Sequence, residues 1–365
     1  MINLINPNIL ELTPYQPGKP EEEIKRKYNL EKVVKLASNE NPLPLPQNVC
    51  DAIVREISLF NRYPDSDSYY LKEKIAAYNG IERDNVLVGA GSVEIIRMIS
   101  RCFLKPGETV LSSEKSFLMY RGAAVEQGGK EAFVEAKMDE AFRFDLDNLS
   151  RLIDDKTKII FIANPNNPTG TTLNRQPVYD FIDSVPEDKI IVLDNAYHEF
   201  VSNLDDYPDG IELAMKRKNI IVLRTFSKIY SLAALRVGYA IAHPETISYL
   251  GRVKGPFNVT RAAQAAAIAS LENDDFKNKS LELNAKNREK LFTQLQNLGL
   301  KVVPSETNFL LFFPGTDPAE LNEKLLQQGV IIRPMRAFGV PDGMRVSVGS
   351  EEDNDYFVSR LEKLL

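Results

Sequence analysis

Several short polar stretches follow apolar runs of strand length. Lys158–Ala163 leads into Asn164-Pro-Asn-Asn167-Pro-Thr-Gly170, Lys189–Leu193 into Asp194-Asn-Ala-Tyr197, and Asn219–Leu223 into Arg224-Thr-Phe-Ser-Lys228. Val86–Val88 leads into Gly89-Ala-Gly-Ser-Val-Glu94, which reads as the start of a helix. An amide, a carboxylate, a phenol and an amine would thus meet at one end of one sheet. The exposed N–H groups of a helix start would lie beside them, ready for an anion. Singly, each has a plainer explanation. Asn-Pro and Pro-Thr-Gly are turn chemistry, Asp194 and Ser92 are possible helix caps, and a lone lysine is usually a solvated charge. Gly89-x-Gly91 lacks the third glycine of a dinucleotide fingerprint, because Glu94 stands there. The signal lies in the set and in its place at strand ends.

The elements that must position this set alternate. Between about residues 50 and 260, continuous apolar runs are separated by helical patterns, which implies a mostly parallel sheet buried on both faces. Ligands of such sheets gather beyond the carboxyl ends of the strands. Helical periodicity over 260–298 follows. Strands are expected at 308–313, 330–333 and 344–348, with helices at 317–328 and 352–364. The fold class is therefore α/β, with a large domain carrying a mostly parallel central sheet and a smaller α+β domain. The expected divisions are an N-terminal segment over 1–45, a large domain over 46–260 and a small domain over 261–365. The first segment is rich in proline (Thr13-Pro-Tyr-Gln-Pro-Gly-Lys-Pro20 and Asn39-Glu-Asn-Pro-Leu-Pro-Leu-Pro46), so it should wrap over another surface.

Bulk properties narrow the function classes. A chain of 365 residues, 43% hydrophobic, can bury a large core. The net charge of -6 and the lack of a basic block argue against nucleic acid or an anionic membrane as partner. With only His198 and His243, and with Cys50 and Cys102 in no metal spacing, no metal site is expected. The first residues show no basic region followed by an apolar run, and no stretch is long enough to span a bilayer, so a cytoplasmic protein is expected.

Asn167-Pro-Thr-Gly170, Asp194-x-Ala-Tyr197 and Thr225-Phe-Ser-Lys228 followed by Leu235-Arg-Val-Gly238 resemble the aminotransferases of fold type I that use pyridoxal 5'-phosphate (PLP). The resemblance runs over nearly the whole chain. It implies that Lys228 holds PLP as a Schiff base and acts as general base once released. Desolvation and nearby positive charge would bring its amine down from an ordinary pKa of about 10.4. Asp194 would pair with the pyridine nitrogen, and Tyr197 and Asn167 would bond the ring's phenolic oxygen. Phe117 would stack on the ring. Gly91, Ser92, Val93, Thr225, Ser227 and Arg236 would hold the phosphate. Tyr63 would reach the phosphate of a partner subunit, which implies a homodimer. Arg345 would clamp the substrate carboxylate with its two-pronged guanidinium.

Leu36-Ala-Ser-Asn-Glu-Asn-Pro42, Arg62-Tyr-Pro-Asp65, Thr307-Asn-Phe-Leu310, Ile332-Arg-Pro-Met335 and Pro341–Gly349 bear a closer resemblance to the histidinol-phosphate aminotransferases. That resemblance implies transamination between histidinol phosphate and glutamate/2-oxoglutarate in histidine biosynthesis. Tyr15, Asn41, Asn308 and Arg333 would join Arg345 around these anionic substrates. Two positions depart from the family pattern. Val93 stands where an acid is usual, and Asn195 where a glutamate is common. The same fold also serves aromatic aminotransferases and threonine-phosphate decarboxylases. A nucleotide-binding or regulatory α/β protein is the reading from a different class.

Overall fold

The computed structural model describes residues 4–12, 14, 18–129 and 133–365. Strand β1 (Val34–Lys35) comes from the N-terminal segment. The large domain supplies β2 (Val86–Gly89), β3 (Thr109–Ser113), β4 (Phe133–Ala136), β5 (Thr157–Ala163), β6 (Ile190–Asp194), β7 (Ile220–Thr225) and β8 (Gly238–Ala242). The small domain supplies β9 (Lys301–Val303), β10 (Phe309–Phe313), β11 (Val330–Ile331), β12 (Arg333–Pro334) and β13 (Met344–Ser347).

The large sheet has the order β2-β8-β7-β6-β5-β3-β4. β3 to β7 pair in parallel, and β8 runs antiparallel to both neighbours. A parallel pair needs a crossover of a dozen or more residues, usually a helix. The link from β7 to β8 carries only the 3₁₀ turn Ala233–Leu235, and the chain simply turns back. The central strands are buried on both faces, as their unbroken Ile/Val/Leu composition requires. In register, Ala163 lies beside Asp194 and Asp194 beside Leu223. The carboxyl ends of β5, β6 and β7 therefore sit side by side, and the three polar stretches leave from one edge.

The small domain packs the antiparallel sheet β12-β13-β10-β9 against the helices Asp274–Asn297, Pro318–Gln327 and Glu351–Glu362. Its core joins Leu291, Leu310, Phe312 and Phe357 to Val34 and Leu36 of the N-terminal segment, which enters through the parallel pair β1-β11. Residues 261–298 form two helices rather than one. The first ends at Ser270, and Asn273 caps the helix that begins at Asp274 by accepting the Phe276 N–H. The alanine-rich helix Arg261–Ser270 packs in the large core through Ala263, Ala266 and Ala267, so the small core begins after it.

Candidate active site

At the carboxyl edge of the large sheet, under the small domain, lies a cavity of about 180 Å³. Its chemistry divides into an anion end, a buried carboxylate, an amine and a pair of arginines.

At the anion end, β2 stops at Gly89 and the chain turns through Gly91 into the helix Ser92–Phe103. The first-turn N–H groups of Ser92 and Val93 have no acceptor within the helix. Gly91 has φ 79°, and a Cβ there would come within 2.5 Å of the Arg236 guanidinium. Glycine thus lets the cation close on the helix start. Gly238 plays the same part from β8, because a Cβ would meet the Ser92 nitrogen at 2.8 Å. Arg236 Nη1 donates to Ser227 Oγ at 3.4 Å, and Thr225 Oγ1 accepts from the Ser227 N–H at 3.1 Å. Glu94 reaches back to accept the Ala90 N–H at 2.6 Å, which fixes the turn.

Asp194 ends β6 and is buried. One oxygen accepts the Tyr120 hydroxyl at 2.7 Å and the other the Ala196 N–H at 3.1 Å. Burial raises its pKa, and the two hydrogen bonds oppose that rise. Among the described residues no ion pair neutralises it. A buried carboxylate facing a cavity in this way suits a cationic ring atom. Phe117, at the N-cap of the helix Leu118–Gly128, lines the same space.

Lys228 Nζ lies 5.7 Å from the centre of the Tyr197 ring and donates to the Ser38 carbonyl at 3.2 Å. Its pKa is lowered to about 7, chiefly by burial, then by the positive charges of Arg345 and Arg236 against the opposing Glu40. Such an amine is free at neutral pH to attack a carbonyl carbon or to take a proton. The Tyr197 hydroxyl accepts from Asn39 Nδ2 at 2.9 Å.

Asn167 accepts a hydrogen bond from Arg345 Nη1. The loop carrying it is braced from below. Asn164 bonds the Leu173 backbone both ways, at 2.9 and 3.2 Å, and Asn195 donates to the Asn164 carbonyl at 2.9 Å. Asn166 ties the same loop to Ser116 and to the Lys115 carbonyl. Arg345 is buried in β13 and also donates to the Ala37 carbonyl at 3.0 Å. The centre of the Phe338 ring is 5.1 Å from the Arg333 guanidinium and 5.9 Å from that of Arg345. Arg333 pairs with Arg345 across β12 and β13, and two cations so placed suit a dianionic ligand or two anions in turn.

The cavity thus collects Ser92, Val93, Phe117, Asn167, Asp194, Tyr197, Thr225, Ser227, Lys228, Arg236, Arg333 and Arg345, with Gly91 at its edge. Asn41 and Asn308 are not brought into it. Both line a separate space of about 10 Å³, where Asn41 bonds the Ile229 carbonyl and Ser280. Asn308 donates to the Asn39 carbonyl and so touches the site through Asn39. Tyr63 is 78% exposed, stacked on Phe257 at 4.5 Å, and does not line the cavity. Tyr15 lies outside the described residues. Among the site residues that the sequence did not single out are Tyr120, Asn39, Ser38 and Phe338. Tyr120 stands three residues after Phe117 on a helix, where an aromatic reads as core. Asn39 stands two residues before Asn41, and nothing in Ser38-Asn-Glu-Asn41 says which amide turns inward.

Residues 31–361 match the aminotransferase class I and II family. The chain belongs to that family. This aminotransferase is 44% identical over 364 residues to a histidinol-phosphate aminotransferase of Anaeromyxobacter sp. (strain Fw109-5), covering 99% of each chain. It is 40% identical over 358 residues to that of Moorella thermoacetica (strain ATCC 39073 / JCM 9320), covering 98% of this chain and 92% of the relative. The crystal structure of histidinol-phosphate aminotransferase from Sinorhizobium meliloti in complex with pyridoxal-5'-phosphate superposes with a TM-score of 0.89 at 26% identity. The match covers 99% of this chain and 97% of that one. The class I and II aminotransferase fold expected from the motifs is the fold observed.

Proposed function

We propose that this aminotransferase binds PLP and exchanges an amino group between histidinol phosphate and 2-oxoglutarate, giving imidazole acetol phosphate and glutamate. The observation that carries the reading is the convergence, in one cavity, of a lysine near neutrality, a buried carboxylate and an N–H-rich anion cradle beneath two arginines. The close relatives named above support the choice of substrate.

The residues fit the cofactor at both ends. Ser92, Val93, Thr225, Ser227 and Arg236 would hold its phosphate, Asp194 its ring nitrogen, Tyr197 and Asn167 its phenolic oxygen, and Phe117 a ring face. When bound, PLP supplies an electron-poor ring that accepts the electron pair left as the substrate Cα loses its proton. Lys228 Nζ is the base for that proton, since an amine near neutrality has free lone pairs and still returns protons readily. Arg345 and Arg333 orient the anionic ends of the amino donor and acceptor.

The assembly is a homodimer in which Tyr63 completes the partner's phosphate cradle. Its exposure, with that of Val54, Ile57 and Phe60 nearby in sequence, supports a subunit contact there.

The deciding experiment is a half-reaction panel followed by the visible absorbance of bound PLP. Histidinol phosphate should convert the spectrum rapidly, and Lys228→Ala should abolish both the band and turnover. An unchanged spectrum with histidinol phosphate, together with conversion by phenylalanine, would make this an aromatic aminotransferase. Carbon dioxide release from threonine phosphate would make it a decarboxylase.

A further inference from the structure

Tyr120 has no place in the roles assigned above, yet it makes the closest side-chain contact to Asp194. It is fully buried on the helix Leu118–Gly128. Its ring lies flat on Phe161 of β5, with centroids 4.4 Å apart and planes within 8°. Phe117 closes the other side edge-on at 5.8 Å and 83°. Held between them, the ring has one direction in which to aim its hydroxyl. That direction ends on Asp194 Oδ2 at 2.7 Å.

We propose that Tyr120 is the positioning residue of the cofactor carboxylate: its hydroxyl holds Asp194 in one plane, and ionised, opposite the ring nitrogen of bound PLP. The inference rests on the PLP reading above. Two donors serve the carboxylate, one on each oxygen: Tyr120 on Oδ2 and the Ala196 N–H on Oδ1. Together they fix both its plane and its tilt. Burial alone would drive a carboxyl at this depth toward its neutral form, and the tyrosine is the larger of the two contacts that resist this. The phenol is itself held well above its usual range by burial and by the charge of Asp194, so it remains a donor wherever the enzyme works. An ionised carboxylate keeps the facing nitrogen protonated, and a protonated ring is the stronger electron acceptor.

A packing role would need only the ring, and phenylalanine would fill it. Tyr120→Phe therefore separates the two possibilities. The test loads the full-length enzyme with PLP labelled with nitrogen-15 at the pyridine nitrogen. In the unaltered enzyme the resonance should be that of a protonated pyridine from neutral to mildly alkaline pH. In Tyr120→Phe it should move toward that of neutral pyridine. Turnover should fall about tenfold or more, the scale of one hydrogen bond to a charged group, with KM for both substrates within about twofold. Site-specific 3-fluorotyrosine at position 120, a more acidic donor, should carry the protonated resonance to higher pH than in the unaltered enzyme, and it decides the matter if the phenylalanine variant fails to fold. A resonance unmoved by either replacement, with PLP bound, overturns the role of Tyr120 and leaves the PLP reading standing. An unaltered enzyme that takes up no PLP overturns both.

Discussion

Lys228 owes its reactivity to its neighbours more than to its own chemistry. Burial and two guanidinium groups bring the amine to about 7 in the cofactor-free protein, so its protonated fraction falls as pH rises through that value. Only the free amine can attack the aldehyde of PLP. The rate of PLP uptake, followed by absorbance, should therefore rise with pH and level off above about 7. Arg345→Met removes one of the charges that depress the lysine, so the midpoint should move to higher pH. Arg345 itself makes two directed hydrogen bonds, to Asn167 and to the Ala37 carbonyl, from a buried position. A lysine at 345 keeps the charge but loses the planar fork. Arg345→Lys should raise KM for 2-oxoglutarate by about ten- to a hundredfold, the range of one charge-assisted hydrogen bond, while kcat falls less. Initial-rate measurements with each substrate varied would check this. At this scale the sequence pointed to residues that end a strand or follow closely on one, as Asp194 ends β6 and Lys228 follows β7. It was silent where side chains turn inward from a loop or a helix. Asn39 and Asn41 are two residues apart and identical in type, and only the fold sends one to Tyr197 and the other to Ser280. Tyr120 packs as core on every side but the one that faces Asp194.

Among elements, β8 meets the start of the helix Ser92–Phe103 backbone to backbone at the anion end. Backbone atoms surround the missing Cβ of Gly238, with the Ser92 nitrogen at 2.8 Å and the Arg224 carbonyl at 3.0 Å. Backbone cannot swing aside as a side chain can. Gly238→Ala should push the helix start outward and weaken PLP binding by about 1–3 kcal/mol, the usual scale of overpacking. Equilibrium titration of the cofactor-free protein would read it. A Kd within twofold of the unaltered protein would show that the joint has slack. Most of this sheet was legible because a strand buried on both faces must be written in continuous apolar residues. In this sheet β4 escaped that logic, and outside it so did β1 and the three-residue β9. β4 is a four-residue edge strand in which exposed Glu135 breaks the apolar run, and β1 is only two residues long within a proline-rich segment. The reversed direction of β8 was equally hidden, since composition does not record which way a strand runs.

At the scale of the whole molecule, the site is shared between domains and, by the proposed function, between subunits. A mixing experiment tests the second claim. Lys228→Ala and Tyr63→Ala should each be nearly inactive alone. If Tyr63 acts on the partner's site, a hybrid dimer of the two carries one site with both residues intact, and activity should return on mixing to about a quarter of normal. If it acts within its own subunit, mixing restores nothing. Among the described residues, no helix is long and apolar enough to cross a membrane. The two-domain plan was readable from the change in pattern after residue 260, but not where the cores part. The alanine-rich helix Arg261–Ser270 has small residues that fit equally well against either domain, and the structure puts it in the large core.

The pairing of β1 with β11 joins Val34 to Val330, and beyond it the Asn39 N–H bonds Ser347 Oγ while the Ala37 carbonyl receives Arg345. The segment around residues 34–39 and the strands at 330–347 thus meet at the cavity. This sets an order on biosynthesis. A ribosome that has released only the large domain has already exposed Lys228, Asp194 and Tyr197 on a sheet able to collapse on its own core. The Ser38–Asn39 strap and the arginine clamp must wait until the last small-domain strands leave the exit tunnel. Every nascent copy therefore passes through an interval as a half-built pocket, open to solvent and unable to grip either substrate.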